Sequence, residues 1–311
     1  MKLEKILKNY TKEELQITLS YLGLGYEEES NEEGLINDIL SYSLNKTNFE
    51  RILSILPEYS YDKLVNEHVY DVKFSDDLKL YNDLKVYSLG FGNLNELHIA
   101  DEFVEYIKNL DIEKLNKYRV KQLWLYQAIT FANTFYAAYP LSILEELIKK
   151  NTKIHLSNTE LKSRLLYLPE SVGIEYYESN QAIVNLSYSN ELEDIFKKQE
   201  QKPFYIPTYK EIVEYFNNGF ITNVQYDLLV NYNKYLKKEY GNEARILIFN
   251  EVATTYKIDD QIVSKYYDIS CVKSDNEWTE IITTFKKIAV NTRNVYNRGF
   301  TAYELMQRHI N

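Results

Sequence analysis

The sequence predicts a mainly α-helical, multi-helix fold that carries small β-hairpins and winged-helix-like modules. Only 9 Gly and 5 Pro occur in 311 residues, whereas sheet-rich folds draw on both residues for their tight turns. Apolar residues recur at helical spacing along most of the chain. Hydrophobic residues make up 45% of the sequence, which is enough for real cores, and the length predicts two or three domains.

Residues 1–67 are predicted to form a helical segment. Thr11 and Glu14 have the spacing of a capping box at the start of an amphipathic helix. The turn at 23–25 ends this helix, because two of its three residues are glycines. Apolar residues at 35–40 and 49–53 predict two further helices, the second of which ends before Pro57.

Residues 68–117 are predicted to form a hairpin followed by a helix. Two strand-like runs, 86–91 and 96–100, flank a turn at 92–95. Asp101 can cap the helix that follows. The same order of hairpin and helix recurs about 85 residues later in the chain, so we predict a structural echo rather than a strict repeat.

Residues 118–202 are predicted to form a winged-helix-like module. Three helical patterns, at 123–135, 141–148 and 158–166, precede a hairpin with a turn at 178–181. In a winged helix the third helix can enter a major groove while the hairpin flanks the backbone. The polar residues on that helix and on the approach to it are therefore candidate contacts with nucleic acid or a partner: Lys149, Lys150, Lys153, Thr159, Lys162 and Arg164.

Residues 203–311 are predicted to be a C-terminal helical domain. Thr208 begins a helix, apolar residues at 226–236 continue the pattern, and Trp278 to Ile288 mark the last long apolar face. Residues 285–311 carry five basic residues against Glu304 alone, in a chain with a net charge of -10. This basic end can contact phosphate or dock onto the acidic surface of the protein itself. Its candidate contact residues are Lys286, Lys287, Arg293 and Arg298.

The sequence motifs of metalloproteases, P-loop proteins and serine hydrolases do not occur. Four histidines lie far apart in sequence, and Cys271 is the single cysteine. We therefore predict no catalytic residues, no cofactor, no metal site and no internal disulfide. The N-terminus lacks the apolar core of a signal peptide and no run of about 18 apolar residues occurs, which predicts a cytoplasmic protein without a membrane span.

Two parts of the chain resemble known families. The segment Thr11 to Leu15, with the Leu-Gly turn and the helix at 35–36, resembles the SAP-like or Rho N-terminal helix-loop-helix, whose members often contact nucleic acid; residues 27–33 depart from it because they are acidic. The segments 134–140 and 291–305 are similar to uncharacterised proteins of low-GC bacteria that often end in a zinc-binding SEC-C motif. The Cys-rich tail of that family is lacking, so its zinc is not carried over.

These observations favour binding over catalysis. The first hypothesis is a non-enzymatic nucleic-acid-associated regulator that uses the module at 118–202. The alternative is a protein-interaction factor, such as a phage or mobile-element inhibitor of a host defence protein, because the chain is acidic and rich in tyrosine. The abundance of Lys, Asn, Ile and Tyr is typical of AT-rich genomes, including those of low-GC bacteria and their phages. The partner, nucleic acid or host protein, and the oligomeric state stay open at this point.

Overall fold

The computed structural model describes residues 1–219, 233–237 and 244–310. The fold is mainly helical with two small antiparallel sheets, as the sequence predicts. Contacts between Cα atoms divide the chain into two compact units. Unit 1 comprises Met1–Tyr126 and Leu156–Gly173, and unit 2 comprises Gln127–His155 and Ile174–Asn311. The predicted module at 118–202 is divided between them, since the chain passes from one unit to the other after Tyr126, His155 and Gly173, all of which lie inside that segment.

Unit 1 is built from helices and one sheet. Its helices are α1 (Leu3–Leu7), α2 (Lys12–Leu22), α3 (Glu32–Ser43), α4 (Lys46–Ile55), α5 (Glu58–Tyr61), α6 (Leu78–Val86), α7 (Asp101–Lys108), the first part of α8 (Ile112–Tyr136) and α10 (Asn158–Leu166). A π-helical turn, Asp62–Asn66, extends α5. The strands are β1 (Asp71–Lys73), β2 (Gly90–Gly92) and β3 (Glu96–Ile99).

The N-terminal helices begin and end where local chemistry predicts. Thr11 and Glu14 form the capping box of α2, each side chain bonding the backbone N–H of the other residue. The helix ends at Gly23, which has a φ of +74°, a conformation that favours glycine because it has no Cβ. A Cβ there would lie 2.5 Å from the backbone carbon of Glu170. Glycine is therefore required by both conformation and space.

The core of unit 1 joins α1 to α4, α6, α7 and the sheet. Phe103 of α7 stacks on Phe49 of α4 with ring centroids 5.0 Å apart, and it also contacts Phe91 of β2. Leu35 and Leu84 are fully buried in the same cluster. The helices and the hairpin thus share one hydrophobic core rather than forming the two separate segments predicted for 1–67 and 68–117.

Unit 2 contains the second sheet and the C-terminal helices. After the second part of α8 come β4 (Ala138–Pro140), α9 (Leu141–Ile148), β5 (Ile174–Tyr177) and β6 (Ala182–Asn185). Helices α11 (Leu192–Gln199), α12 (Tyr209–Asn218), α13 (Ala244–Thr254), α14 (Asp260–Tyr266), α15 (Asp275–Asn291) and α16 (Ala302–Ile310) follow. The predicted pattern at 226–232 lies outside the described residues.

The two sheets have the same topology. In each, the hairpin strands pair with each other, and an earlier strand pairs with the second strand of the hairpin, giving the orders β1-β3-β2 and β4-β6-β5. A helix follows each hairpin, namely α7 and α11. This confirms the predicted echo. The sequence did not predict β1 and β4, which are three residues each and leave too short a pattern to recognise.

The strand predicted at 86–91 is partly wrong. Val86 is the last residue of α6, and only residues from Gly90 onward pair with β3. Leu80, Tyr81 and Leu84 are buried on one face of α6, and this helical spacing was missed because the β-branched Val86 favours a strand locally. Burial of these three residues favours the helix over the predicted strand up to Val86.

Tyrosine is a core residue in this protein. Tyr136 and Tyr139 are fully buried in unit 2 and lie 5.6 Å apart with their rings nearly perpendicular. The Tyr136 hydroxyl donates to the backbone carbonyl of Tyr205, and the Tyr215 hydroxyl is bonded to Thr134. Buried tyrosines with paired hydroxyls combine apolar area with a satisfied polar group.

Candidate nucleic-acid interface

Unit 2 contains a groove of about 360 Å³ beside the C-terminal end of α13. Its charged and aromatic lining residues are two lysines, Lys257 and Lys286, and two tyrosines, Tyr256 and Tyr296. We call it the Lys257–Lys286 groove. The rest of its lining is apolar or neutral: Val252, Thr255, Ile258, Ala289, Val290, Asn294, Asn297 and Ala302.

Helix α15 presents Lys286 to the groove. Ser274 caps the helix by accepting from the backbone N–H of Glu277. Ile281, Phe285 and Ile288 are buried on one face, in a core that also contains residues of α13 and α14. Lys286, one position after Phe285, is consequently turned to solvent and is exposed.

Asn294 holds the two walls of the groove together. Its side-chain amide donates to the carbonyls of Val252 and Thr255, at 2.7 and 2.8 Å, where α13 ends. Its side-chain oxygen accepts from the backbone N–H of Tyr296 at 2.8 Å. The end of α13 and the 3₁₀ turn Val295–Asn297 are thereby fixed to each other.

An aromatic pair stands at one end of the groove. The rings of Tyr256 and Tyr296 lie 5.3 Å apart at 75°, and Tyr256 is 59% exposed. The ammonium group of Lys198, on α11, lies 4.9 and 5.1 Å from the centroids of the two rings. Tyrosine faces attract cations and also stack on nucleobases.

The lining of the groove is positive. It contains two lysines and no carboxylate among the described residues. Lys286 also forms an ion pair of 3.5 Å with Asp260, and both side chains are exposed, so this pair is weak. Burial raises the pKa of Tyr296, which keeps its hydroxyl neutral at physiological pH. A small anion beside an aromatic or apolar group suits this surface.

Three of the predicted contact residues form a basic stretch of unit 2. Lys149, Lys150 and Lys153 are exposed and lie at or just after the C-terminal end of α9. Thr159 is exposed and Lys162 is half-buried, but both lie on α10, which belongs to unit 1.

Arg164 is placed in the interior, against the expectation of an outward contact. Its side chain is 9% exposed. Its guanidinium donates to the backbone carbonyl of Tyr118, to Gln122 Oε1 and to Glu160 Oε1, at 3.1, 3.3 and 3.2 Å, and it covers the ring of Tyr118. The sequence pattern missed this because two of the partners, Tyr118 and Gln122, come from α8, 46 and 42 residues upstream.

Two arginines of the basic end are structural. Arg293 donates to the carbonyl of Gly299, to Glu304 and to Glu211, at 3.0, 3.1 and 2.7 Å. Arg298 donates to the carbonyl of Lys202 at 2.6 Å and to Gln199 Oε1 at 3.2 Å. Both side chains thus bond groups within unit 2, and two of the partners of Arg293 are carboxylates. Lys286 and Lys287 are exposed.

Sequence reasoning missed the aromatic half of the groove. Tyr256, Lys257 and Tyr296 stand in a loop and a 3₁₀ turn without periodicity, and tyrosines are common throughout the chain. A weak signal was present in the adjacent Tyr256 and Lys257, which give an aromatic and a cation together.

The described residues contain neither a group of metal ligands nor a helix that could span a membrane. Within the described residues, no three or more His, Cys, Asp or Glu side chains are grouped so that they could hold a metal ion. None of the helices in the described part of the chain has the length and apolar character needed to cross a membrane.

Comparison of the chain with protein-family models, curated proteins and solved structures gives no match. The resemblances to SAP-like and SEC-C-associated proteins therefore stay predictions.

Proposed function

We propose that the protein is a non-enzymatic, nucleic-acid-associated binding protein that contacts a single strand at the Lys257–Lys286 groove. One observation carries the proposal: on a chain with a net charge of -10, this groove combines two lysines with an exposed tyrosine and has no carboxylate among its described lining residues. Proteins that bind single strands combine a positive groove with aromatic side chains on which bases stack.

A single strand fits the groove better than a duplex. The exposed face of Tyr256 can stack only on a base that is not already paired and stacked. Lys257 and Lys286 supply point charges for phosphates on either side of that base. The groove of about 360 Å³ has the size of a site for one nucleotide unit.

The segment 118–202 supports the same function through a second surface, which its exposed lysines of unit 2 form. Helix α8, strand β4, helices α9 and α10, and the hairpin β5–β6 follow one another in the chain order of a winged helix. In this interpretation Lys149, Lys150 and Lys153 add phosphate contacts, while the buried Arg164 stabilises α10. A regulatory role would follow from binding without chemistry.

Fluorescence anisotropy with labelled oligothymidine and oligouridine tests the proposal between about 50 and 200 mM salt. We expect binding that weakens with salt. The double variant Lys257→Gln/Lys286→Gln should reduce the slope of log K against log salt by about 1.4, because each single-strand phosphate contact contributes about 0.7. Tyr256→Ala should weaken binding by about tenfold, from the loss of one stacked base.

The controls separate the two surfaces. Lys273→Gln removes an exposed lysine of the same unit that does not line the groove, and it should change neither affinity nor slope. The triple variant Lys149→Gln/Lys150→Gln/Lys153→Gln tests the winged-helix segment. If neither oligonucleotide nor a duplex binds in a salt-sensitive way, the proposed function is wrong. If only the triple variant weakens binding, the groove is not the interface.

A further inference from the structure

Unit 1 contains a second, smaller groove of a different chemical character. It has a volume of about 180 Å³ and lies between α2 and the β2–β3 hairpin. Its apolar lining comes from Ile17 and Tyr21 of α2, Phe91 and Leu97 of the hairpin strands, and Leu94 of the turn. We call it the α2–hairpin groove.

The hairpin wall of this groove is held in place. The Tyr10 hydroxyl accepts a hydrogen bond of 2.8 Å from the backbone N–H of Gly92, and burial raises the pKa of Tyr10 to about 12. Tyr81 donates to the carbonyl of Asn93 at 2.8 Å. The turn that carries Leu94 is therefore anchored at two points, so the groove is formed before a partner arrives.

The opening of the groove is apolar and exposed. Leu94 is 77% exposed, Ile17 is 44% exposed and Tyr21 is 37% exposed. These three large apolar side chains surround one concave site, and each leaves a large part of its apolar surface in contact with water. Such clustering is typical of a contact surface, whereas single exposed apolar residues are ordinary.

A buried hydroxyl in the lining lacks a partner. Ser88 is 3% exposed, and its Oγ has no hydrogen-bond partner among the described residues. The residue has a φ of +50°, in the left-handed region. A buried, unpaired hydroxyl costs free energy, and a polar atom of a bound group in this groove could remove that cost.

The surface along α2 and α3 is strongly acidic. Residues 1–45 contain nine carboxylates and four lysines, so half of the net charge of -10 lies in this stretch. Lys12 donates to the backbone carbonyl of Glu28 at 2.8 Å, which ties the loop between the two helices to α2. The exposed acidic residues of α2, the loop and α3 are Glu13, Glu14, Glu27, Glu28, Glu29, Glu32, Glu33 and Asp38.

We propose that the α2–hairpin groove binds a basic segment of a partner protein that presents one bulky apolar side chain. The volume of about 180 Å³ suits a single anchoring side chain and is smaller than the usual site for a small-molecule ligand. The acidic surface of α2 and α3 attracts Lys and Arg on the same segment and repels phosphates. The occupant is thus a protein segment, not a nucleic acid.

This inference goes beyond the proposed function, because it concerns a different groove, a different unit and a partner of opposite charge. The anchor would be held as hot-spot residues commonly are, with an aromatic or aliphatic side chain in a well-packed pocket. The charged residues that line the groove itself are Glu14 and Lys85, so the attraction for a basic segment comes from the carboxylates of α2 and α3 that surround it. Each proposal can fail without the other, since the substitutions that test them lie at separate sites.

The test uses the full chain and labelled synthetic peptides followed by fluorescence anisotropy. The probe is a lysine- and serine-rich peptide with one central phenylalanine. One control peptide has alanine at the centre, and a second has every lysine replaced by glutamine. We expect the phenylalanine peptide to bind about tenfold more tightly than the alanine peptide, as burial of a large apolar side chain predicts, and to bind more weakly as salt increases.

The matched variants are changes at exposed positions, so they should leave folding intact. Ile17→Ser and Leu94→Asn should each weaken binding of the phenylalanine peptide by about fivefold or more. Val120→Ser, which changes an apolar residue of unit 1 that is 61% exposed and does not line the groove, should have no effect. Thermal unfolding of each variant verifies that the fold is retained.

Several outcomes would overturn this assignment. Equal binding of the phenylalanine and alanine peptides would show that no side chain is anchored. Equal binding of the lysine and glutamine peptides would show that the partner need not be basic. If phenol bound as tightly as the peptide, the groove would be a small-molecule site. Retained affinity in both Ile17→Ser and Leu94→Asn would show that the peptide binds outside the α2–hairpin groove.

Discussion

Arg293 Nη2 donates to Glu211 Oε1 at 2.7 Å and so joins two segments that are 82 residues apart in sequence. The Arg293 side chain is 11% exposed and the Glu211 side chain is 19% exposed. The guanidinium also lies 3.4 Å from the centroid of the Tyr205 ring. The Arg293 guanidinium is thus bonded to groups of unit 2, which explains why the basic end of the chain is only partly available to a partner.

Removing this cation should destabilise the protein. Arg293→Gln leaves Glu211 partly buried without its partner, and we expect the free energy of unfolding to fall by about 2–4 kcal/mol. Urea denaturation measures it. Lys287→Gln, at an exposed position of the same basic stretch, is the control and should change stability by less than about 0.5 kcal/mol. A similar small change for Arg293→Gln would show that the ion pair is not structural.

Acid should weaken unit 2 through Glu211. Although burial by itself raises the pKa of this carboxyl, bonds from the Thr208 backbone and Tyr205, together with the charge of Arg293, hold the pKa below its ordinary value of 4.5. The contribution to stability is therefore present above pH 4.5 and is lost as the pH falls through the lowered pKa. Urea midpoints measured against pH should show this loss, and Glu211→Gln should flatten that part of the profile. An unchanged profile would contradict the assignment.

Two neighbouring basic residues of α10 should behave differently. Arg164→Gln removes a buried cation that bonds Glu160 and two groups of α8, and we expect a loss of about 2–4 kcal/mol. Lys162→Gln changes a half-buried lysine of the same helix and should cost about 0.5 kcal/mol or less. Chemical denaturation compares them. Equal losses would mean that the network around Arg164 contributes nothing specific.

A comparison of Gly23 with Gly173 separates the cost of a positive φ from the cost of a steric clash. Both have positive φ, at +74° and +64°, but a Cβ on Gly23 would meet the Glu170 backbone at 2.5 Å whereas a Cβ on Gly173 would meet nothing within 4 Å. Gly173→Ala should cost about 1 kcal/mol from conformation alone. Gly23→Ala should cost about 2–3 kcal/mol, because a clash is added. Thermal unfolding of both variants tests this difference, which should vanish if the turn can shift.

The single thiol should react in the folded protein. Cys271 is exposed, and its Sγ lies 3.3 Å from Asp268 Oδ2. We expect a thiol reagent such as dithionitrobenzoate to modify one equivalent without denaturant, whereas a buried thiol would wait for unfolding. Cys271→Ser should abolish the reaction and leave stability unchanged within about 0.5 kcal/mol. Labelling that required denaturant would contradict the exposed position.

The sequence by itself determined the features that depend on neighbouring residues. The capping box of Thr11 and Glu14, the end of α2 at Gly23, the N-cap at Thr208 and the long face of α15 are all present as predicted. Each depends on residues within a few positions of one another, where side-chain spacing and backbone hydrogen bonds set the outcome. The mainly helical class and both hairpins follow from the same local rules.

Tertiary structure alone decided which charged groups are available and which residues meet. Arg164 and Lys162 are two positions apart, yet one is buried and the other is half-exposed, because only Arg164 faces the carbonyl of Tyr118 and the amide of Gln122. Tyr256 and Tyr296 come together from positions 40 residues apart. Strands β1 and β4 exist because a later hairpin strand pairs with them. Such long-range contacts leave no periodic trace in the sequence, so packing alone assembled both grooves.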